Sequence, residues 1–412
     1  MRFVICTFER MAIRTAHLFL CTVVVLCLHC GLFTPYDVSG EESGGAELGV
    51  LKIYVSDEAE EFFRTTPQVR ESKEVIYLGT VVASYLGEID TFTGTEINLH
   101  GEHALHYPRK SLEFDIGPKR PLFHHPDALD EFFILALSED VGYVNYYIGA
   151  SVLTAADLFH CHFEYIEVYL NDTYEGLYLF IEKTQNAVRN VFNDVAGVYR
   201  RDYNSRFWQR YCSPSYTDCT PFRTMCTHVY DIVDQYGGQA RLDSLRQIMD
   251  FDKYCDWLAI NTWLQNGDYV DEVFFVVRAL GDSGSFRIDL AAWDYEELFL
   301  PPHGGKSIPN SLVYNGEDSI DVAIAADAVL YGVFKENFKS LLDSVAVPSL
   351  MSSIRDSLER IVLPQFTRAK VAETMDNFSS SPARAYSEMR NLIADRFSRA
   401  ATRRDSILAV LQ

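Results

Sequence analysis

Residues 266–299 read NGDYVDEVFFVVRALGDSGSFRIDLAAWDYEELF, and their reading decides the fold. Two apolar runs, VFFVVR and FRIDLAAW, flank the turn GDSG. β-Branched and aromatic residues around a Gly-containing turn predict an antiparallel hairpin. Asp268 precedes the first strand and Asp294 follows the second. The open ends of a hairpin lie side by side, so the two acids are expected to approach. Close carboxylates repel unless a cation or a proton lies between them. Three readings remain open. Both acids hold a divalent metal, for which magnesium suits carboxylates and phosphate oxygens. One holds the metal while the other accepts a hydroxyl proton, as in phosphoryl transfer. Or both are solvated loop acids.

Upstream, residues 241–265 carry helical spacing, with Asp250 as the expected cap of a second helix. FEYIEVYLNDTYEGLYLFIEK predicts a hairpin turning at Asn171 and Asp172. VGYVNYYIGASVLTAADLF reads as a buried helix, and LGVLKIYVSDEAEEFF as a strand and then a helix capped by Ser56. KEVIYLGTVVASYLGEID and GTEINLHGEHALHYPRKSLEFDIG read as successive strands, the second broken by the loop HGEHALHYP. Residues 199–228 hold Cys212, Cys219 and Cys226 and read as an irregular, disulfide-stapled insert. Its Phe207, Trp208, Tyr211 and Tyr216 form a candidate partner-binding patch. Residues 327–412 carry almost no strand signal and predict a helical C-terminal third. The class expected is α+β.

The chain has 412 residues, 48% hydrophobic and 13% aromatic, a globular composition. Its net charge of −22 argues against nucleic acid as a partner and against anionic membranes. Residues 1–33, with Arg10 and Arg14 before HLFLCTVVVLCLHCGLF, read as a secretory signal; a retained membrane anchor is the alternative. Residues 34–47 read as a polar linker and 48–412 as the folded domain. Beyond the leader five cysteines remain, so one thiol is expected to be unpaired or to pair between chains. Asn171-Asp-Thr and Asn377-Phe-Ser are glycosylation sequons.

Two further groups carry candidate chemistry. Lys110, at the head of a strand, shares a face with Leu112 and Phe114. A lysine there wants an anionic partner, either phosphate or a carboxylate, unless it snorkels out at the strand end. Glu182 ends the second hairpin and is a candidate partner for it. No GxxxxGK[ST], GxSxG or HExxH motif is present.

These segments, taken in order, resemble the CotH family of spore-coat and secreted atypical protein kinases. INLHGEHALHYPRKSLEFDI, FFILALSEDVGYVNYYIGASVL, YIEVYLNDTYEGLYLFIEK, GVYRRD, NTWLQNGDYVDEVFFVVR and LAAWDYEELF follow the family's sequence of motifs. The resemblance implies a kinase-like fold and a kinase using ATP with Mg2+ or Mn2+ on Ser/Thr of secreted or surface proteins. It implies Asp268 as the catalytic acid and Asp294 as the metal ligand, with Glu296 and Glu272 as further metal ligands. Arg109, Lys110 and Glu182 are implied at the nucleotide. The chain departs from the pattern at His100 and Val144, where the family has arginine, and at Glu272 or Val273, where an asparagine is expected. The alternatives are a catalytically degenerate relative and a surface protein that binds a partner protein.

Overall fold

The structure, a computed structural model, describes residues 48–412 except 66–69, 102, 141, 203–205, 282–283, 305–307, 310 and 368–380. The expected signal, the linker and the Asn377 sequon lie outside the described residues. Residues 47–412 form one unit.

Seven strands close into a barrel: β1 (Gly49–Tyr54), β2 (Tyr77–Tyr85), β3 (Glu88–His100), β4 (Ser111–Arg120), β5 (Leu129–Leu135), β6 (Phe163–Leu170) and β7 (Thr173–Glu182). Their order is β1-β2-β3-β4-β5-β7-β6, and the parallel pairing of β1 with β6 completes the ring. Alternate side chains fill the inside, among them Leu51, Val81, Leu99, Phe114, Phe132 and Phe180. The β6–β7 hairpin turns on Asn171 and Asp172, both at positive φ, the mirror-image turn that matches strand twist. Asn171 also fastens that turn to the end of β1. Its Oδ1 accepts from Val55 N (3.0 Å), and its Nδ2 donates to Val55 O (3.2 Å) and Glu60 Oε2 (2.6 Å).

Helix α1 (Asp57–Arg64) starts where Ser56 caps it. Helix α2 (Val144–Ala155) is buried along most of its length, and the Asp140 carboxylate receives Asn145 N (2.9 Å) and Tyr146 N (2.8 Å) at its start. After α3 (Thr184–Val191) comes a second sheet: β8 (Val195–Asp202), β9 (Arg206–Cys212), β10 (Val273–Ala279) and β11 (Phe286–Ala292), ordered β11-β10-β8-β9. The hairpin expected in residues 266–299 is β10–β11, with Val273 opposite Ala292 and Ala279 opposite Phe286.

Residues 199–228 are not an irregular insert. They supply the second half of β8, all of β9 and the first half of α4 (Thr220–Gln235), and β8 lies between β9 and β10. The apolar side chains there belong to the core of the second sheet, a role that polar and Cys-rich spacing concealed. Cys212 and Cys219 are joined, Cα–Cα 6.0 Å, tying β9 to the start of α4. Among the described residues three thiols are free rather than one: Cys161, Cys226 and Cys255, all buried, with burial pushing each pKa upward. The aromatic patch also shrinks. Phe207 is buried and Tyr216 packs on Phe222, leaving Trp208 half exposed.

Helices α5 (Gly238–Ile248) and α6 (Phe251–Leu264) follow, with Asp250 capping α6. The C-terminal helices are α7 (Ser319–Ala326), α8 (Ala328–Ser344), α9 (Pro348–Val362) and α10 (Pro382–Leu411), so the helical part begins earlier than 327. Helix α10 is bound to α6: Trp263 Nε1 donates to Ala400 O (2.9 Å) and Arg403 Nη2 to Thr262 O (2.8 Å). The molecule is α+β. Among the described residues no helix is long and apolar enough to cross a membrane.

Candidate active site

The β10–β11 pairing carries its open ends together. Trp293 N donates to Glu272 O (3.0 Å), and Asn266 Nδ2 reaches Asp294 O (3.5 Å). Asp268 lies close enough to Asp294 to make charging the Asp294 carboxyl harder. Burial pushes the Asp294 carboxyl up to about 6, Arg200 opposes the shift, and Asp268 adds to it. Asp294 has φ 48°, a left-handed conformation that costs a non-glycine residue about 1–3 kcal/mol. That backbone is kept where it turns the chain out of β11 into the cluster.

More acids converge here than the hairpin alone provides. Burial raises Glu272 well above the ordinary carboxyl range, against the pull of Arg200. Burial does the same for Glu296, reinforced by Asp294 and Asp140. Glu297 is pushed up to about 8 by burial and by a hydrogen bond with the Glu139 carboxyl. Asp294 Oδ1, Glu272 Oε2 and Asp271 Oδ1 are buried without a hydrogen-bond partner. Orphaned buried carboxylate oxygens are costly, and either a proton or a divalent cation offsets that cost. The residues present therefore fit a metal. Asp268 can take part in two three-residue groups whose ligand atoms lie within 4.8 Å of one another, with Asp271 and Glu272, and with Glu297 and His303.

The main fixed cation at the cluster is Arg200 on β8. Its Nη2 lies 2.5 Å from Glu272 Oε1 and 3.2 Å from Asp271 Oδ2, and its Nε donates to Asp271 O (3.0 Å). The next residue, Arg201, is fully buried on the other side of the strand. Its Nε holds Val270 O (2.6 Å), and its Nη1 lies 3.5 Å from Asp318. Tyr269 Oη donates to Asp321 Oδ2 (2.9 Å), as Tyr254 Oη does to Oδ1 (2.7 Å). The loop bearing Asp268 is clamped from behind by this network. Arg200, Arg201, Asp318 and Asp321 were not legible as site residues. The two adjacent arginines at the end of the apolar strand GVYRRD were the available signal, since alternation sends them to opposite faces.

The residues expected at the nucleotide are engaged elsewhere. Lys110 is buried, but its Nζ donates to the backbone carbonyls of Leu105 (2.7 Å) and Tyr107, and burial lowers its pKa. It closes the loop between β3 and β4. It does not pair with Glu182, which accepts from His162 N (2.8 Å) and faces His125 (3.4 Å). Arg109 holds Tyr143 Oη (2.6 Å) and Leu177 O, which ties β7 to the head of α2. The buried lysine with carboxylate partners is Lys183, one residue on: its Nζ lies 2.5 Å from Glu113 and 2.8 Å from Glu131. Alternation places Lys183 on the outer face of the barrel. There Phe133 meets Trp293 of the second sheet, ring centroids 5.9 Å apart. His100 stacks on Phe133, and its pKa is pushed down to about 3 by burial and by Lys73, Arg200 and Lys183 among others, so it is neutral near pH 7. Val144 is buried, and Arg396 of α10 reaches its neighbour Asn145 (Nε to Oδ1, 3.0 Å), whose Nδ2 holds Glu296 O (2.8 Å).

Fold and site together define an α+β protein with a buried carboxylate cluster, suited to divalent cations, where a barrel meets a second sheet. The chain belongs to the CotH kinase protein family, whose model matches residues 97–396, more than half of its length. No curated protein matches it. Among solved structures, the proinflammatory kinase CtkA of Helicobacter pylori is similar at 8% identity and TM-score 0.25, covering 80% of this chain and 91% of that one. The toxin–antitoxin complex of HipA, HipB and operator DNA from Shewanella oneidensis is similar at 11% identity and TM-score 0.27, covering 94% and 71%.

Proposed function

We propose that this CotH family member is a protein kinase with a kinase-like fold. It uses ATP with Mg2+ or Mn2+ to phosphorylate Ser/Thr hydroxyls of secreted or surface proteins. The observation that carries the proposal is the grouping of Asp268, Asp271 and Glu272 at the open end of one hairpin, with orphaned carboxylate oxygens on Asp271, Glu272 and the neighbouring Asp294. In this reading Asp294 and Glu272 hold the metal. When bound, metal and nucleotide supply the transferable phosphoryl group and offset its charge. Asp268 orients the acceptor hydroxyl and takes up its proton. Arg200 and Lys183 supply positive charge to the phosphates, replacing Lys110, and Trp293 with Phe133 supplies an apolar wall. Tyr269 and Arg201 keep the Asp268 loop in position. Export is supported by the leader and by the Cys212–Cys219 bridge, since disulfides persist in oxidising compartments.

The test is a radiolabelled-ATP autophosphorylation assay with Mg2+ and Mn2+, run beside a thermal-shift titration with ATP. Asp294→Asn should abolish the metal-dependent ATP shift. Asp268→Asn should keep the shift and lower label transfer by about two to four orders of magnitude, the range for a positioned general base. A folded protein with neither signal overturns the kinase reading.

A second reading is a nucleotide-binding relative without transfer. Val273, at one of the two positions expected to carry asparagine, is buried in β10, and Glu272 at the other is held by Arg200. An ATP-induced shift with no label transfer selects that reading.

A further inference from the structure

His303 lies in the segment after β11 and enters the cluster beside Asp268. Its Nδ1 is 3.3 Å from Asp268 Oδ1, and its Nε2 is 2.5 Å from Glu297 Oε2. The backbone fixes this approach. His303 N donates to Gly267 O (3.0 Å), and Gly267 N donates to Glu297 O (2.9 Å). A Cβ at Gly267 would stand 3.0 Å from Pro301 O and 3.1 Å from Glu297 Oε2, so glycine lets the two loops close. Glu297 is 9% exposed, whereas the imidazole is 41% exposed and open to solvent.

Two ligands about 2.1 Å from one metal stand roughly 3.0–3.5 Å apart. The Nδ1–Oδ1 separation falls in that range. Glu297 on the far nitrogen matches the carboxylate that usually orients a metal-binding histidine. Glu272, 6% exposed with Oε2 lacking a hydrogen-bond partner, shares a second close group with the same Asp268 and with Asp271, an independent sign that a cation is wanted beside Asp268. We propose that Asp268 and His303, oriented by Glu297, form a further divalent-cation site that takes manganese or zinc in preference to magnesium. The preference follows from the ligands: imidazole nitrogen suits borderline metals, whereas magnesium selects oxygen. The inference rests on reading the hollow as a cation site, not on phosphoryl transfer.

The probe is Mn2+ added to the full chain and followed by electron spin-echo modulation, which detects a nitrogen bound to the ion. Nitrogen modulation is expected in the wild type and in Asp294→Asn, and should vanish in His303→Ala. Glu297→Gln should weaken the nitrogen-bound Mn2+ by about 10- to 100-fold, the usual effect of losing an orienting carboxylate. Excess Zn2+ should displace that signal and equimolar Mg2+ should not. Mn2+ bound without nitrogen modulation, or modulation that persists in His303→Ala, overturns the proposal and leaves His303 as an ion-pair partner only. Label transfer without nitrogen modulation sinks this inference alone. Nitrogen modulation without label transfer sinks the kinase reading alone.

Discussion

Lys110 and Lys183 are both buried, yet their ammonium groups do different things. Lys110 serves two backbone carbonyls, and Lys183 serves two carboxylates facing the second sheet. Lys110→Met should leave those carbonyls without a donor and destabilise the protein by about 1–3 kcal/mol, with the ATP-dependent shift retained. Urea titration measures the first effect and thermal shift the second. Lys183→Met should weaken the ATP shift at least as strongly as it lowers stability. Equal ATP responses in the two variants would return Lys110 to the nucleotide. A lysine at a strand head was legible in the sequence. Which lysine faces the site was not, because that depends on which side of the barrel meets the second sheet.

At the scale of elements, two short connections carry measurable stability. The β6–β7 turn needs positive φ at Asn171, and the side chain makes three hydrogen bonds besides. Asn171→Ala keeps neither advantage and should cost about 1–3 kcal/mol, read from the denaturation midpoint. The Cys212–Cys219 bridge closes a short loop between β9 and α4. Chain-entropy reasoning gives about 2–3 kcal/mol for such a loop, so Cys212→Ser with Cys219→Ser should lower the melting temperature by several degrees. An unchanged melting temperature would mean that β9 and α4 hold that geometry unaided. The hairpin at Asn171–Asp172 was readable because the turn's demand for positive φ is local. The β8–β9 pair was missed because its partner, β10, lies far along the chain.

For the whole molecule, buried carboxyls set the response to pH. Burial holds Asp140 and Asp321 near 7, well above the roughly 3.9 of an unfolded aspartate. The folded state keeps protons that the unfolded chain releases. Between about pH 4 and 7, stability therefore falls as pH rises, and the contribution is fully lost above the folded pKa. Melting scans in chelator from pH 5 to 8 should show that decline, and Asp321→Asn should flatten part of it. A rise in melting temperature over that interval would show that these carboxyls are charged in the folded protein.

The sequence by itself determined most of the elements and their order, with β9 and the start of α4 as the exceptions. Strand alternation, the turn residues, the Ser56 and Asp250 caps and the helical C-terminal run are local properties, fixed by backbone sterics and by hydrogen bonds over a few residues. That Asp268 comes near enough to act on Asp294 was legible for the same reason, since a hairpin's register places its own ends together. Barrel closure by β1 and β6, the place of β8 beside β10 and the choice of Lys183 over Lys110 were decided only by the tertiary structure. So was the arrival of Arg200, Arg201, Asp321 and His303 around one loop. Each depends on which buried faces meet across long separations, and burial and charge compensation act between residues that are neighbours only after the chain has folded.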